Sequence, residues 1–288
     1  MSKTAIVTDS NSGMTQEEAK KLGVYVLPMP FMIEDNTYYE EKDLSQDDFY
    51  EKMAQEAKIT TSQPTPEEVM TLWDRVLLEY DELVYIPMSS GLSGSCHTAQ
   101  LLAQDYEGKV FVADNQRISV TQRRSVQDAL YLAKEKGMSA ARIKEFLEED
   151  RVNSSIYIML DTLTYLKRGG RITPAAAALG NILRLKPVLQ IQGEKLDAFA
   201  KARTTAQGKT IMVNAVRSDI ADRFGGNEEN VWLYIAHSHN ESGAAAFAEE
   251  LKKEFSQHQI EIQRLSLSIG CHLGPGALAL ACSRKIPL

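Results

Sequence analysis

Cysteine is scarce in this chain. Its 288 residues include three, Cys96, Cys271 and Cys282, and an odd number builds no even disulfide framework. No two of them form a Cys-x-x-Cys pair, so no zinc knuckle is expected and no metal site is predicted. So few thiols suit a reducing compartment, and the cytoplasm is the expected location. No apolar run approaches the roughly 20 residues that cross a bilayer. Residues 1–9 enter a strand-like run directly, without the pattern of a signal peptide. Positive charge is not in excess either. Lys and Arg number 32 against 39 Asp and Glu, a net charge of -7. Nucleic-acid binders usually carry a basic face, so no nucleic-acid partner is expected. A nucleotide-phosphate signature is also missing. Gly208-Lys209-Thr210 resembles the end of a phosphate-binding P-loop, but that pattern needs glycine at position 203, where Arg203 stands.

What is present is an alternation of strand and helix signals. Buried strands are predicted at 5–8, 24–27, 83–86 and 110–113. Between them a capping box at Thr15-Gln16-Glu17-Glu18 and a Thr65-Pro66 start open helices. Residues 31–39 read as a hairpin turning at Asp35-Asn36. Ser45 caps a helix through about residue 55, and helices follow at 95–104, 120–136 and 140–148. This rhythm predicts a mostly parallel sheet with helices on both faces. Past residue 153 the pattern changes. A strand is predicted at 155–160, short helices at 163–168 and 174–183, a hairpin at 187–200 and a long helix at 204–224. A strand–helix–strand unit then runs from 231 to 265. Two α/β domains, 1–153 and 154–288, are the expected organisation.

The stretch Pro87-Met88-Ser89-Ser90-Gly91-Leu92-Ser93-Gly94-Ser95 carries the most chemistry. A strand feeding a glycine- and hydroxyl-rich loop and then a helix builds an anion site. The first-turn N–H groups point outward and the peptide dipoles favour negative charge. A second hydroxyl-rich corner, Thr60-Thr61-Ser62-Gln63-Pro64, precedes another helix. Together they suggest a grip on a carboxylate or phosphate with neutral donors. The same residues also describe an ordinary capped turn. Gly91-Leu92-Ser93-Gly94-Ser95 further approaches the G-x-S-x-G nucleophile elbow but fails at its last glycine, where Ser95 stands.

Other clusters carry open alternatives. Gly270-Cys271-His272-Leu273-Gly274-Pro275-Gly276 places an imidazole among glycines, either as a ligand contact or as a structural hydrogen-bonding group. Gly169-Gly170-Arg171 sets a cation beside a flexible turn, either solvated or contacting a partner. His237 and His239 follow a strand without an acidic cluster to complete a metal site. The small residues of 175–178 and 277–281 leave room for close helix packing or for an elongated apolar ligand, and packing is the default.

Several of these motifs in one order resemble the DegV family of bacterial lipid-binding proteins. They are Thr8-Asp9-Ser10, Thr61-Ser62-Gln63-Pro64, Ser89-Ser90-Gly91-Leu92-Ser93-Gly94, Val112-Ala113-Asp114, the run from Tyr165 to Ile172, Leu185-Lys186-Pro187-Val188-Leu189, Lys201-Ala202-Arg203-Thr204 and His272-Leu273-Gly274-Pro275-Gly276. The chain departs from the common pattern at Asn115 and Ser95, both small polar exchanges. The resemblance implies a two-domain α/β protein with a long-chain fatty acid between its domains. It also implies a non-catalytic subunit without a cofactor, which presents the carboxylate to a separate ATP-binding fatty acid kinase subunit. The acyl phosphate then enters phospholipid synthesis, with a transient contact at the membrane surface. By motif, Thr61, Ser93 and His272 hold the head group, with Ser62 and Gly94 beside them, and Arg171 contacts the kinase subunit. The alternative is a serine esterase acting on acyl chains with Ser93 as nucleophile.

Overall fold

The computed structural model describes residues 3–179 and 185–286. Two compact units divide the chain: Met1–Ser45 with Lys58–Arg151, and Gln46–Ala57 with Val152–Leu288. A single cut at 153/154 places residues 46–57 in the first unit, whereas here they lie with the second. In that helix Gln46 bonds the Leu265 carbonyl and Phe49 and Tyr50 lie against Gly270, more than 200 positions later, and contacts of that range leave no local mark in the sequence.

The amino-terminal segment runs β1 (Thr4–Asp9), α1 (Gln16–Leu22), β2 (Val24–Leu27), β3 (Pro30–Ile33), β4 (Asn36–Tyr39), α2 (Gln46–Ala54), β5 (Ile59–Thr61), α3 (Pro66–Leu77), β6 (Glu82–Ile86), α4 (Ser95–Leu102), β7 (Val110–Val112), α5 (Ser119–Lys134) and α6 (Ala140–Glu149). All but α2 belong to the first unit. Its main sheet has the order β2-β1-β6-β7 and is parallel throughout. Such a sheet is buried on both faces, and its strands are correspondingly apolar. Trp73 of α3 packs with Val7, Leu83, Tyr85 and Cys96 in this core. Helix α3 starts on the expected cap: Thr65 Oγ1 accepts the Glu68 N–H and Glu68 Oε2 accepts the Thr65 N–H. A small sheet, β4-β3-β5, contains the expected hairpin and adds β5, a three-residue strand too short to show periodicity.

The second unit continues with β8 (Ser154–Met159), α7 (Thr164–Gly169), α8 (Pro174–Leu179), β9 (Lys186–Ile191), β10 (Leu196–Ala202), α9 (Thr205–Asp222), β11 (Val231–His237), α10 (Glu241–Glu254), β12 (Ile260–Arg264), α11 (Leu267–Leu273) and β13 (Leu278–Arg284). The helix expected over 174–183 is described as far as Leu179, and its last four positions lie outside the described residues. The six-stranded sheet has the order β10-β9-β8-β13-β11-β12, antiparallel except for the β11–β12 pair. Helices α9 and α10 cover one hydrophobic cluster built from Tyr157, Met212, Leu233, Phe247 and Leu280. No helix among the described residues is long and apolar enough to cross a membrane.

Gly208-Lys209-Thr210 lies inside α9, as its helical pattern predicts, and not on a phosphate loop. A Cβ built on Gly208 would stand 2.2 Å from Met159 Sδ in the core. Replacing glycine by alanine in a helix interior is ordinarily worth about 1 kcal/mol of stability, but overpacking a core costs roughly 1–3 kcal/mol. Gly208→Ala is therefore expected to lower the urea midpoint of the protein. A raised midpoint would show that α9 does not press on β8 this closely.

Candidate functional site

The order β2-β1-β6-β7 has a switch point between β1 and β6, where the chain passes to β2 on one side and to β7 on the other. Open parallel sheets bind ligands beyond the carboxyl ends of the strands at such a point. Thr8-Asp9-Ser10 and the 87–94 loop are the two segments that leave those ends. Their hydrogen bonds define what the loop can do. Asp9 is fully buried and accepts the N–H groups of Met88 at 2.8 Å and Asn11 at 2.9 Å, together with Gln122 Nε2 at 3.1 Å. Burial raises the Asp9 pKa, against those hydrogen bonds, which lower it. The Thr8-Asp9-Ser10 motif is thus an anchor for the loop.

The loop also satisfies itself. Ser89 N–H donates to the Arg117 carbonyl at 2.9 Å and Ser90 N–H to Asp114 Oδ1 at 3.3 Å. Ser89 Oγ accepts the Gly91 N–H, and the Ser89 carbonyl accepts those of Leu92 and Ser93. Ser93 Oγ accepts the Ser95 N–H at 3.2 Å. The outward-pointing cradle expected of this loop is therefore mostly spent internally. What it offers a ligand is the Ser93 hydroxyl proton and the Gly94 N–H at the start of α4. Asn115, at the departure noted above, is buried.

Thr61 ends β5 opposite Phe31, and Ser62 is exposed beyond it. Gln63 then links the two corners: its Oε1 accepts from Thr98 Oγ1 on α4 at 3.3 Å and lies 3.6 Å from where a Gly94 Cβ would stand. Thr61, Ser62, Ser93 and Gly94 thus belong to neighbouring corners of the first unit. Arg117 was not legible as part of this site. It is buried, pairs with Asp150 Oδ2 at 2.8 Å and bonds Ser125 Oγ at 3.0 Å, while its carbonyl holds the loop. Gln116 and Ser119, at φ 56° and 55°, bend the chain around it.

An elbow that presents a nucleophilic serine strains that residue. Ser93 does not take a positive φ, and its Oγ accepts a backbone N–H. Neither observation favours the esterase reading. A groove of about 1020 Å³ elsewhere on the first unit is lined by Glu17, Glu40, Glu41, Glu67 and Glu68 against Lys42 and Arg75. Its charge has the wrong sign for an anionic head group.

In the second unit, the carboxyl ends of β8 and β11 and the start of β13 meet at one edge, because Leu278 pairs with both Met159 and His237. From that edge arise α7, the 238–240 turn and α11 with its following turn. Ser238 Oγ donates to the Gly274 carbonyl at 2.5 Å and accepts the Ala277 N–H at 3.0 Å, and Asn240 Nδ2 donates to the Gly276 carbonyl. These bonds fix the His272-Leu273-Gly274-Pro275-Gly276 segment. His237 Nδ1 accepts the Asn240 N–H, and His239 stacks on Tyr50. Among the described residues no group of three His, Cys, Asp or Glu is arranged to hold a metal. Lys201-Ala202-Arg203-Thr204 proves to be the entry to α9, with Thr204 as its cap.

His272 is half-buried near the end of α11. Burial, and then the charge of Arg171, pull its pKa down to about 4. Arg171 is exposed, and its Nη1 donates to the Gly169 carbonyl at 2.6 Å. The structure thus brings His272 and Arg171 together within the second unit.

The model of the family described as uncharacterised proteins of the DegV family matches residues 3–285. The chain belongs to the DegV family. A DegV domain-containing protein of Halalkalibacterium halodurans is 31% identical over 98% of each chain. A DegV family protein from Thermus thermophilus, solved under a description of its fatty acid binding, is 30% identical. It superimposes with a TM-score of 0.89 over 98% of this chain and 99% of its own. DegV of Bacillus subtilis, described as a fatty acid binding protein, is 27% identical, with a TM-score of 0.87 over 99% and 100% of the two chains. The mixed α/β architecture in two parts is that of these DegV structures.

The depressed His272 pKa has a consequence for stability. Unfolded, the imidazole takes a proton below about pH 6.5; folded, it does so only below about pH 4. Between those values the unfolded state binds more protons, so this residue's contribution to stability is present above pH 6.5 and is lost as pH falls towards 4. Denaturant titrations from pH 7.5 to 4 are expected to show a shallower loss for His272→Gln than for the unaltered protein. Equal slopes would mean an imidazole that titrates normally.

Proposed function

We propose that this DegV protein binds a long-chain fatty acid and presents its carboxylate to a separate ATP-dependent kinase subunit. The observation that carries the first half is the close match, over nearly the whole chain, to a solved relative described by its fatty acid binding. The chemistry of the polar corners supports it. A carboxylate needs donors, and the Ser93 hydroxyl, the Gly94 N–H, Thr61, Ser62 and the neutral His272 imidazole are suited to supply them. None is a fixed cation, so the carboxylate keeps its nucleophilic oxygen free of a tight ion pair. Tail burial supplies the affinity. At ~0.8 kcal/mol per methylene, about 14 methylenes contribute roughly 11 kcal/mol before ordering costs. The head group therefore sets orientation and the tail sets retention.

The kinase half rests on the motif resemblance. The chain's one approach to a P-loop fails at Arg203 and lies inside α9, which supports placing the ATP-binding machinery on a second polypeptide. There a carboxylate oxygen would attack the γ-phosphorus, the new P–O bond replacing the one to ADP. Arg171, exposed beside the head-group histidine, is the proposed contact for that subunit.

Organic extraction of the purified protein, read by mass spectrometry, is expected to yield a fatty acid in near-stoichiometric amount. Protein shown by refilling trials to take up no acid would sink the proposal. Ser93→Ala is expected to retain lipid within a fewfold, the worth of one hydrogen bond at about 1 kcal/mol, and to lose more in acyl-phosphate formation when mixed with a kinase subunit and ATP. Equal losses would contradict an orienting role. Arg171→Ala is expected to keep lipid and couple poorly to the kinase; normal turnover by this variant would remove Arg171 from the interface.

A further inference from the structure

Helices α7 and α11 meet through rings set where side chains are missing. A Cβ built on Gly169 would lie 2.1 Å from His272 Nδ1 and 2.9 Å from its Cε1. A Cβ does not approach a non-bonded heavy atom that closely, so the imidazole occupies the place a Gly169 side chain would fill. The exchange is reciprocal: a Cβ on Gly274, just past α11, would lie 2.3 Å from Cδ2 and Cε2 of Tyr165 on α7. Each helix thus inserts one ring against a glycine of the other.

The two glycines of the 169–170 pair have opposite reasons to be glycine. Gly170 sits at φ 67°, a conformation that L side chains rarely adopt, yet nothing stands within 4 Å of its Cβ position. Its requirement lies in the backbone alone. Gly169 is the last residue of α7 and does not have a positive φ. Alanine suits such a backbone and would be favoured there by helix propensity. Its requirement is the imidazole. Gly169 has a further bond, since its carbonyl accepts Arg171 Nη1 at 2.6 Å.

We propose that Gly169 is a positioning residue: the space of its missing side chain seats the His272 imidazole, and its carbonyl holds the Arg171 guanidinium, so one glycine fixes both groups. The ring cannot swing towards α7 without meeting the Gly169 backbone, and the guanidinium is folded back beside it. A head-group contact and a candidate partner contact are therefore set by the same turn. The inference rests on the fatty-acid reading only where it names His272 as a head-group contact; the seat itself is independent of any ligand.

The test compares Gly169→Ala, Gly170→Ala, His272→Ala and the Gly169→Ala/His272→Ala pair. Imidazole 15N spectra at pH 6 report the charge of His272, assigned by its loss in His272→Ala. A seated ring with a pKa of about 4 is almost wholly neutral there. A ring displaced into water, with an ordinary value near 6.5, is about three-quarters charged. Gly169→Ala is expected to show the charged ring, and Gly170→Ala the neutral one despite a lower melting temperature. Gly169→Ala is also expected to lower the melting temperature of the unaltered protein and not that of His272→Ala, where the space is vacant. That comparison still reads if the single Gly169→Ala variant is too unstable for spectra. A neutral, unshifted His272 in Gly169→Ala, or the same melting penalty in both backgrounds, overturns the proposal. Fatty acid retention separates the two layers. A loss of about fivefold, one hydrogen bond at about 1 kcal/mol, is expected with the displaced ring. A displaced ring with undiminished retention leaves the seat standing and removes His272 from the head-group site.

Discussion

Packing around helix α11 is the constraint on which the second half of this chain depends. Rings fill three places where a side chain is missing: Tyr50 at Gly270 and Tyr165 at Gly274 come from its neighbours, and its own His272 fills the place at Gly169. Ring-to-backbone contacts of this kind admit no slack, because protein interiors are packed near crystal density and a single methyl has nowhere to go. The seven-residue helix is too short to be stable by itself. Its position is imposed by these contacts and by the Ser238 and Asn240 bonds to the turn that follows. The helix that carries a candidate binding group is thereby held by structure it does not itself encode.

The first unit reaches the same end by other means. Its candidate loop is held by polar atoms that are themselves buried. Asp9 receives three donors, and Arg117 is paired with Asp150 beneath the loop it supports. A buried ion pair contributes little net stability, but removing one partner strands the other at a cost of roughly 3–5 kcal/mol. Such groups act as locators. They use up the loop's own N–H groups on internal acceptors, so the donors left for a ligand are few and fixed in direction.

The parallel first sheet was legible because strands buried on both faces are continuous apolar runs set off by capped helices. Thr15 and Thr65 cap the helices their residue types announce. The second sheet was harder to read. Strand β13 is its central antiparallel member, yet its Leu-Ala-Leu-Ala-Cys run is made of residues with little strand preference and resembles helix packing. Helix α2 was placed correctly along the chain, but its membership depends on Gln46 reaching the Leu265 carbonyl and Tyr50 meeting Gly270, which no local pattern encodes. Of the candidate site, the motifs were visible and the supports were not. Arg117 reads as an ordinary charged residue, and Gly169 as half of a flexible turn.

The electrostatic character of the His272 corner follows from these supports. Burial, and then the charge of nearby Arg171, keep His272 neutral, while the guanidinium is turned onto a backbone carbonyl. A positive charge thus stands beside a neutral imidazole. For the carboxylate of the proposed ligand this would matter in two ways. The field favours the anion over its protonated form, and the contacts that remain are neutral hydrogen bonds, weaker than charge-assisted ones. An oxygen held by neutral donors stays nucleophilic, and on the proposed function an acyl phosphate would carry one more negative charge than the carboxylate it came from. On the proposed function, the turn that seats the ring would also set how strongly the head group is gripped, and a grip by neutral hydrogen bonds suits an anion that is to be handed on to another protein.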